Sequence, residues 1–159
     1  MLLFHGSNVT VEQPRVLRSD RRLDFGTGFY VTSSYEQAAK WSVLTARRRR
    51  TGSPLISVYE YDEAAFEDLN VLEFPAADED WLRFVSGNRN GQPEVPDLDL
   101  VIGPVANDNT MPVLRGFFAQ IYTEEEAIRR LMTQKLKDQY AFKTEAALQA
   151  ISFLHVEEA

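Results

Sequence analysis

Short apolar runs at strand spacing alternate with longer stretches at helical spacing, and polar breaks separate them. Residues 2–5 open the chain as an apolar strand, and residues 6–14 read as loop because Asn8, Thr10 and Pro14 interrupt any period. Arg15-Val16-Leu17 reads as a short strand leading into the charged loop 18–22, and Phe29-Tyr30-Val31-Thr32 is a β-prone strand. At Ser33-Ser34 the period changes. Ala38, Trp41, Leu44 and Thr45 share one face of a helix over 35–49, which Ser33 or Ser34 caps with Glu36 or Gln37 three residues on. Strands are predicted again at 55–61, 99–103, 139–143 and 151–156. Asp78 caps a short helix with Trp81, Leu82, Phe84 and Val85 on its apolar side. Thr123 with Glu126 opens a helix to about Lys137, turning Ala127, Ile128, Leu131 and Leu136 inward, and Thr144 caps a last short helix.

Strands and helices intermix without regular βαβ alternation, which predicts an α+β fold, and no linker divides residues 1–159. A single domain of this length buries roughly 70% of the surface of its unfolded chain. Without cysteine there are no disulfides and no thiolate metal sites. Two distant histidines without paired carboxylates give no metal ligand set. No apolar run approaches the ~18 residues of a membrane span, and the N-terminus lacks the basic start and apolar core of a signal peptide. A cytoplasmic protein without membrane contact is the expectation.

The net charge of −7 conceals an asymmetry: residues 1–59 carry a balance of +5, residues 60–99 one of −10, and the remainder −2. An anionic ligand is drawn to the basic N-terminal third. That third includes Arg47-Arg48-Arg49-Arg50, more positive charge than a helix C-terminus needs. The run is expected to dock an anionic partner, a nucleic acid or an acidic protein, against the simpler reading of a solvated helix end.

The basic third also holds the most informative residues. Leu2-Leu3-Phe4-His5-Gly6-Ser7 ends an apolar strand in His-Gly-Ser, and Asp24-Phe25-Gly26-Thr27-Gly28-Phe29-Tyr30 places a Gly-x-Gly loop before the strand that carries Tyr30. The glycines permit positive φ and close approach of a ligand to the backbone. Trp41 follows Tyr30 by eleven positions, on the helix that returns beside that strand. Taken singly these residues have plain readings: His5, Tyr30 and Trp41 as core residues, and Gly-x-Gly as a turn.

Taken together, the motifs resemble the NAD-binding half of the ADP-ribosyltransferases, in the branch with the His-Tyr-Glu signature. More narrowly the chain is similar to small bacterial proteins of that superfamily associated with toxin and antitoxin gene pairs. The resemblance implies a split antiparallel β-sheet core with flanking helices, and NAD bound as a substrate. It implies that His5 bonds a ribose hydroxyl, that the backbone at Gly6, with Ser7 and Gly28 nearby, holds the carboxamide, and that Tyr30 and Trp41 sandwich the nicotinamide. It further implies transfer of ADP-ribose to a macromolecule with release of nicotinamide, and a possible antitoxin partner.

Two positions depart from the family. Ala38 stands where a serine often contacts the carboxamide, and Gln139 is the best candidate for the signature glutamate on a later strand. Its carbonyl accepts a hydroxyl hydrogen bond but supplies no charge, so Gln139→Glu is expected to speed nicotinamide release. Glu145, the next carboxylate, falls on the following helix. The alternatives are a non-catalytic module that binds NAD, ADP-ribose or nucleic acid, and an NAD glycohydrolase. Asn107 and Asp108, at a strand end, read as a turn or a ligand position, and His155 has no partner in the sequence that points to a role.

Overall fold

The computed structural model describes residues 1–18, 22–92, 97–107 and 109–159. Two sheets face one another. One has the order β1 (Leu2–Ser7), β3 (Leu55–Tyr61), β7 (Ile151–Glu158), all antiparallel. The other has the order β2 (Phe29–Val31), β6 (Asp138–Phe142), β5 (Leu100–Pro104), β4 (Val71–Glu73). It is antiparallel except for the parallel β4–β5 pair.

Strand alternation decides which residues meet between the sheets. Leu3, Tyr59 and Tyr61 point inward from the first sheet, and Phe29, Val31, Leu100, Tyr140 and Phe142 meet them from the second. The Phe29 and Tyr59 rings pack edge to face at 5.9 Å. The alternate residues of β1 and β3, Phe4, Ile56 and Val58, face helix α1 (Tyr35–Arg49). The outer face of the second sheet is covered by α2 (Glu79–Arg89), α3 (Met111–Phe118) and α4 (Glu124–Met132) around Phe25, Trp81 and Val101. Trp81 is fully buried, and its indole nitrogen donates to Pro104 O at 3.0 Å. The protein is therefore α+β, in four layers.

The helix starts follow the caps in the sequence. Ser34, Asp78, Thr123 and Thr144 accept from the backbone N–H of Gln37, Trp81, Glu126 and Ala147, the last opening α5 (Glu145–Leu148). Each such cap contributes about 1 kcal/mol.

Several expectations fail. Arg15-Val16-Leu17 forms no strand, and the Val16 N–H is instead held by the Glu145 carboxylate at 3.2 Å. Helix α4 stops at Met132, short of Lys137, after which Val105 N–H takes Lys137 O. Strand β4, the 3-10 turn Glu63–Phe66 and helix α3 were not anticipated. On α1 the buried side chains are Ala38 and Ser42, whereas Leu44 is 56% exposed. Among the described residues no helix is long and apolar enough to cross a membrane.

Helix α1 lies so close to β1 that Gly6 alone fits beneath it. A Cβ at Gly6 would overlap the Ala38 carbonyl oxygen and stand 2.8 Å from Ser42 N. Both neighbours are helix backbone, which a side-chain rotation cannot move aside. Gly6→Ala is expected to cost at least the roughly 1–3 kcal/mol of an overpacked core, read as a lower urea midpoint. An unchanged midpoint would mean that α1 is free to lift from β1.

Candidate functional site

Beyond their packed faces, the two sheets are joined by a backbone bridge at the edge of β1. Phe4 N–H donates to Thr32 O at 2.8 Å and Thr32 N–H to Phe4 O at 2.9 Å, an isolated antiparallel bridge. Because backbone groups alternate along a strand, Gly6 N–H and C=O point to the same edge as those of Phe4. Extending the bridge by two residues sets Gly6 opposite Tyr30. Among the described residues no backbone hydrogen bond joins them, so the strands part after one bridge. The His5 ring enters the wedge, with Nδ1 at 2.7 Å from Tyr30 O.

That bond fixes the state of His5. A carbonyl only accepts, so Nδ1 carries the proton and Nε2 is left as an acceptor. Burial lowers the pKa of His5 to about 4; the Tyr30 carbonyl opposes the shift and the Arg49 charge adds to it. The imidazole is therefore neutral at neutral pH. It is half-buried and stacks on Phe29 at 4.3 Å.

Tyr30 lies on the same side of the notch as Gly6, since bridge partners and residues two apart share a face. Its hydroxyl donates to Gly26 O at 2.6 Å and accepts from Phe25 N–H at 3.1 Å. Phe25 lies alongside at 6.5 Å, nearly parallel. Burial and the Asp24 charge push the phenol pKa well above its usual range, so Tyr30 stays protonated. Trp41 belongs to the turn of α1 that presses on Gly6, between Ala38 and Ser42. It is half-buried, and among the described residues its ring stacks on no other. His5, Gly6 and Tyr30 thus meet where β1 and β2 part, and Trp41 lies on the helix turn packed over Gly6.

The glycine loop is only partly as expected. Gly26 takes positive φ, +77°, but Gly28 does not. Gly28 is small for packing instead: a Cβ there would sit 3.0 Å from Phe142 O. Lys143 clamps the loop from below, its Nζ at 2.5 Å from Phe25 O and 2.8 Å from Thr27 O, and burial lowers its pKa. Ser7 is buried and its hydroxyl donates to Asn8 Oδ1 at 3.4 Å. The same Asn8 oxygen takes Arg49 Nη1 at 3.0 Å. The arginine run is therefore divided in use: Arg49 ties the end of α1 to the loop after β1, close enough for its charge to act on His5. Arg50 ends the helix in the left-handed region at φ 55°.

Gln139 stands on β6, two residues from Ala141, the partner of Tyr30, and so on the Tyr30 face. It is buried. Its Nε2 donates to Asp24 Oδ2 at 3.0 Å and lies 3.4 Å from Pro104 O. Both neighbours are acceptors, so the amide nitrogen must face them and only Oε1 turns elsewhere. Asp24, to which the sequence reading gave no role, is buried and bound to the Arg89 guanidinium, with Nε at 2.6 Å from Oδ1. Glu145 is engaged with Val16 N–H on α5, and His155 is exposed beside Glu157 at 3.3 Å. Asn107 Oδ1 accepts from the N–H groups of Asn109 and Thr110 at 3.0 Å each, the turn that starts α3, while Asp108 lies outside the described residues. Two surface concavities lie apart from His5, Tyr30 and Trp41. One of about 350 Å³ is bordered by Val113, Glu126 and Arg130, and one of about 400 Å³ by Asn70, Asp99 and Lys143.

The surroundings of Gln139 reverse the expectation for glutamate there. A carboxylate would face Asp24 Oδ2 and Pro104 O with no proton to offer, so its pKa would rise far above the ordinary ~4.3 of glutamate. Below that ordinary value the side chain is protonated both folded and unfolded, and the variant is least harmed. As pH rises, the unfolded chain releases the proton first, and stability is lost until the raised folded pKa is passed. Gln139→Glu is expected to cost about 1–3 kcal/mol at pH 7, with a smaller cost near pH 4, and not to speed any reaction. Thermal midpoints equal to wild type at both pH values would show that residue 139 does not face Asp24.

A family model described as "Protein of unknown function (DUF3990)" matches residues 1–153. No curated protein matches the chain. The family match spans nearly the whole chain, from the His5 strand to β7, and the protein belongs to this family of unknown function, DUF3990.

Proposed function

We propose that the protein binds NAD at the notch between β1 and β2 and transfers ADP-ribose from it to a macromolecule. The observation that carries this reading is the parting of the strands: Gly6 N–H and C=O face Tyr30 across an unpaired edge held open by His5. One backbone donor and one acceptor on the same residue complement a carboxamide, which offers the reverse pair. Neutral His5, with Nδ1 engaged, offers Nε2 to a ribose hydroxyl. In this reading the rings of Tyr30 and Trp41 are the π-faces that take nicotinamide.

The chemistry asks little covalent help of such a site. The bond from the anomeric carbon to the pyridinium nitrogen breaks, its electron pair stays on nitrogen, and nicotinamide leaves neutral. The ribosyl oxocarbenium takes an acceptor nucleophile, which loses a proton. The site's contribution is to hold the dinucleotide and orient the sugar. The resemblance of its motifs to the ADP-ribosyltransferases supports this reading, and with it the setting of a cytoplasmic toxin restrained by an antitoxin protein.

One observation favours a second reading, a non-catalytic NAD-binding module: residue 139 has no carboxylate, and Asp24 beside it is already paired with Arg89. Incubation with labelled NAD and cell lysate separates the readings. Label on a macromolecule supports transfer, free ADP-ribose supports hydrolysis, and binding without either supports the module. By calorimetry, Tyr30→Ala and Trp41→Ala, confirmed folded by circular dichroism, are expected to weaken NAD binding by the 1–3 kcal/mol of a lost stack, about 5- to 150-fold. His5→Ala is expected to weaken it as well. Unchanged affinity in all three folded variants would remove the notch as the NAD site.

A further inference from the structure

Asp24 lies in a loop, yet it is buried and joined to three other parts of the chain. Its Oδ1 takes the guanidinium of Arg89 on α2, and its Oδ2 takes Ala106 N–H at 3.0 Å and Gln139 Nε2 at 3.0 Å. Its own carbonyl accepts from Asn88 Nδ2 at 3.1 Å. The next two residues, Phe25 and Gly26, are those whose backbone holds the Tyr30 hydroxyl. One carboxylate therefore sets the amide plane of Gln139 directly and the ring of Tyr30 through the loop that continues from it.

We infer that Asp24 is the positioning residue of the notch, holding the Gln139 carbonyl and the Tyr30 ring in the arrangement that meets the ribose and nicotinamide of NAD. The inference rests on the NAD reading given above. Asp24 itself touches no substrate. Its charge is balanced by Arg89, and its effect passes through the orientation of the Gln139 amide. With Nε2 turned to Asp24, Oε1 is the atom left to accept from a ribose hydroxyl.

Asp24→Asn tests this selectively. Asparagine keeps one oxygen for Arg89 but places an NH₂ against Gln139 Nε2 and Ala106 N–H, a conflict of donors that forces the Gln139 amide to turn. Nicotinamide release is expected to fall at least tenfold in kcat with KM for NAD changed less than threefold. In a Gln139→Ala background the same substitution is expected to lower kcat by less than twofold, because the group it acts through is gone. If Asp24→Asn does not fold, Arg89→Lys takes its place: it keeps the charge, loosens the carboxylate, and is expected to show the same dependence on Gln139 with a smaller loss. A folded Asp24 variant with wild-type kcat, or losses that multiply fully with Gln139→Ala, would overturn the inference while the NAD reading stands. Wild-type protein that neither binds nor cleaves NAD would overturn that reading and the inference with it.

Discussion

The bond from His5 Nδ1 to Tyr30 O is the contact on which the arrangement of the N-terminal third depends. Antiparallel strands that have formed one bridge ordinarily zip further, since each added pair satisfies two backbone groups. Here the side chain of the residue after the bridge takes the carbonyl that the next pair would have used. The imidazole is thus a spacer and a hydrogen-bond donor together, and it leaves the backbone of Gly6 facing an opening. Glycine is required at that point for a different reason: α1 rests on it with backbone atoms. The helix pressed on this face of β1 carries Trp41 in the turn that covers Gly6.

Electrostatics around the notch are arranged by pairing. Asp24 is surrounded by a guanidinium, a backbone amide and a side-chain amide, donors that satisfy the oxygens of a buried carboxylate. Glutamine suits position 139 because a donor must face this carboxylate and the Pro104 carbonyl. A glutamate there would put two acceptors against a third. In its surroundings, Gln139 is the residue whose amide suits the neighbouring carboxylate.

The features legible in the sequence were those written in local chemistry. Ser34, Asp78, Thr123 and Thr144 cap helices as their side chains foretell, and the β-branched and aromatic runs at 29–31 and 55–61 are strands. What was hidden depends on distant partners. Strand β4 is three residues long and gains its place from β5 beside it. Helix α3 is short, opens on Met111-Pro112 without a side-chain cap and has no acidic first turn, so its start carries no local signal. Leu44 breaks the expected helical face because α1 meets β1 through the small Ala38 and Ser42. Asp24 gave one signal, an acidic residue two positions ahead of Gly-x-Gly in a segment of net positive charge, and its partners lie 65, 82 and 115 residues away.

The central claim is that the opening between β1 and β2 receives the nicotinamide end of NAD. Adding NAD to the uniformly ¹⁵N-labelled protein, and following the backbone amides of Gly6 and Tyr30 and the indole N–H of Trp41 by NMR, tests it most directly. These three resonances are expected to shift together and saturably, ahead of those on β7 or α4, and nicotinamide alone is expected to move the same three. Shifts confined to other surfaces, or none at millimolar NAD, would contradict it.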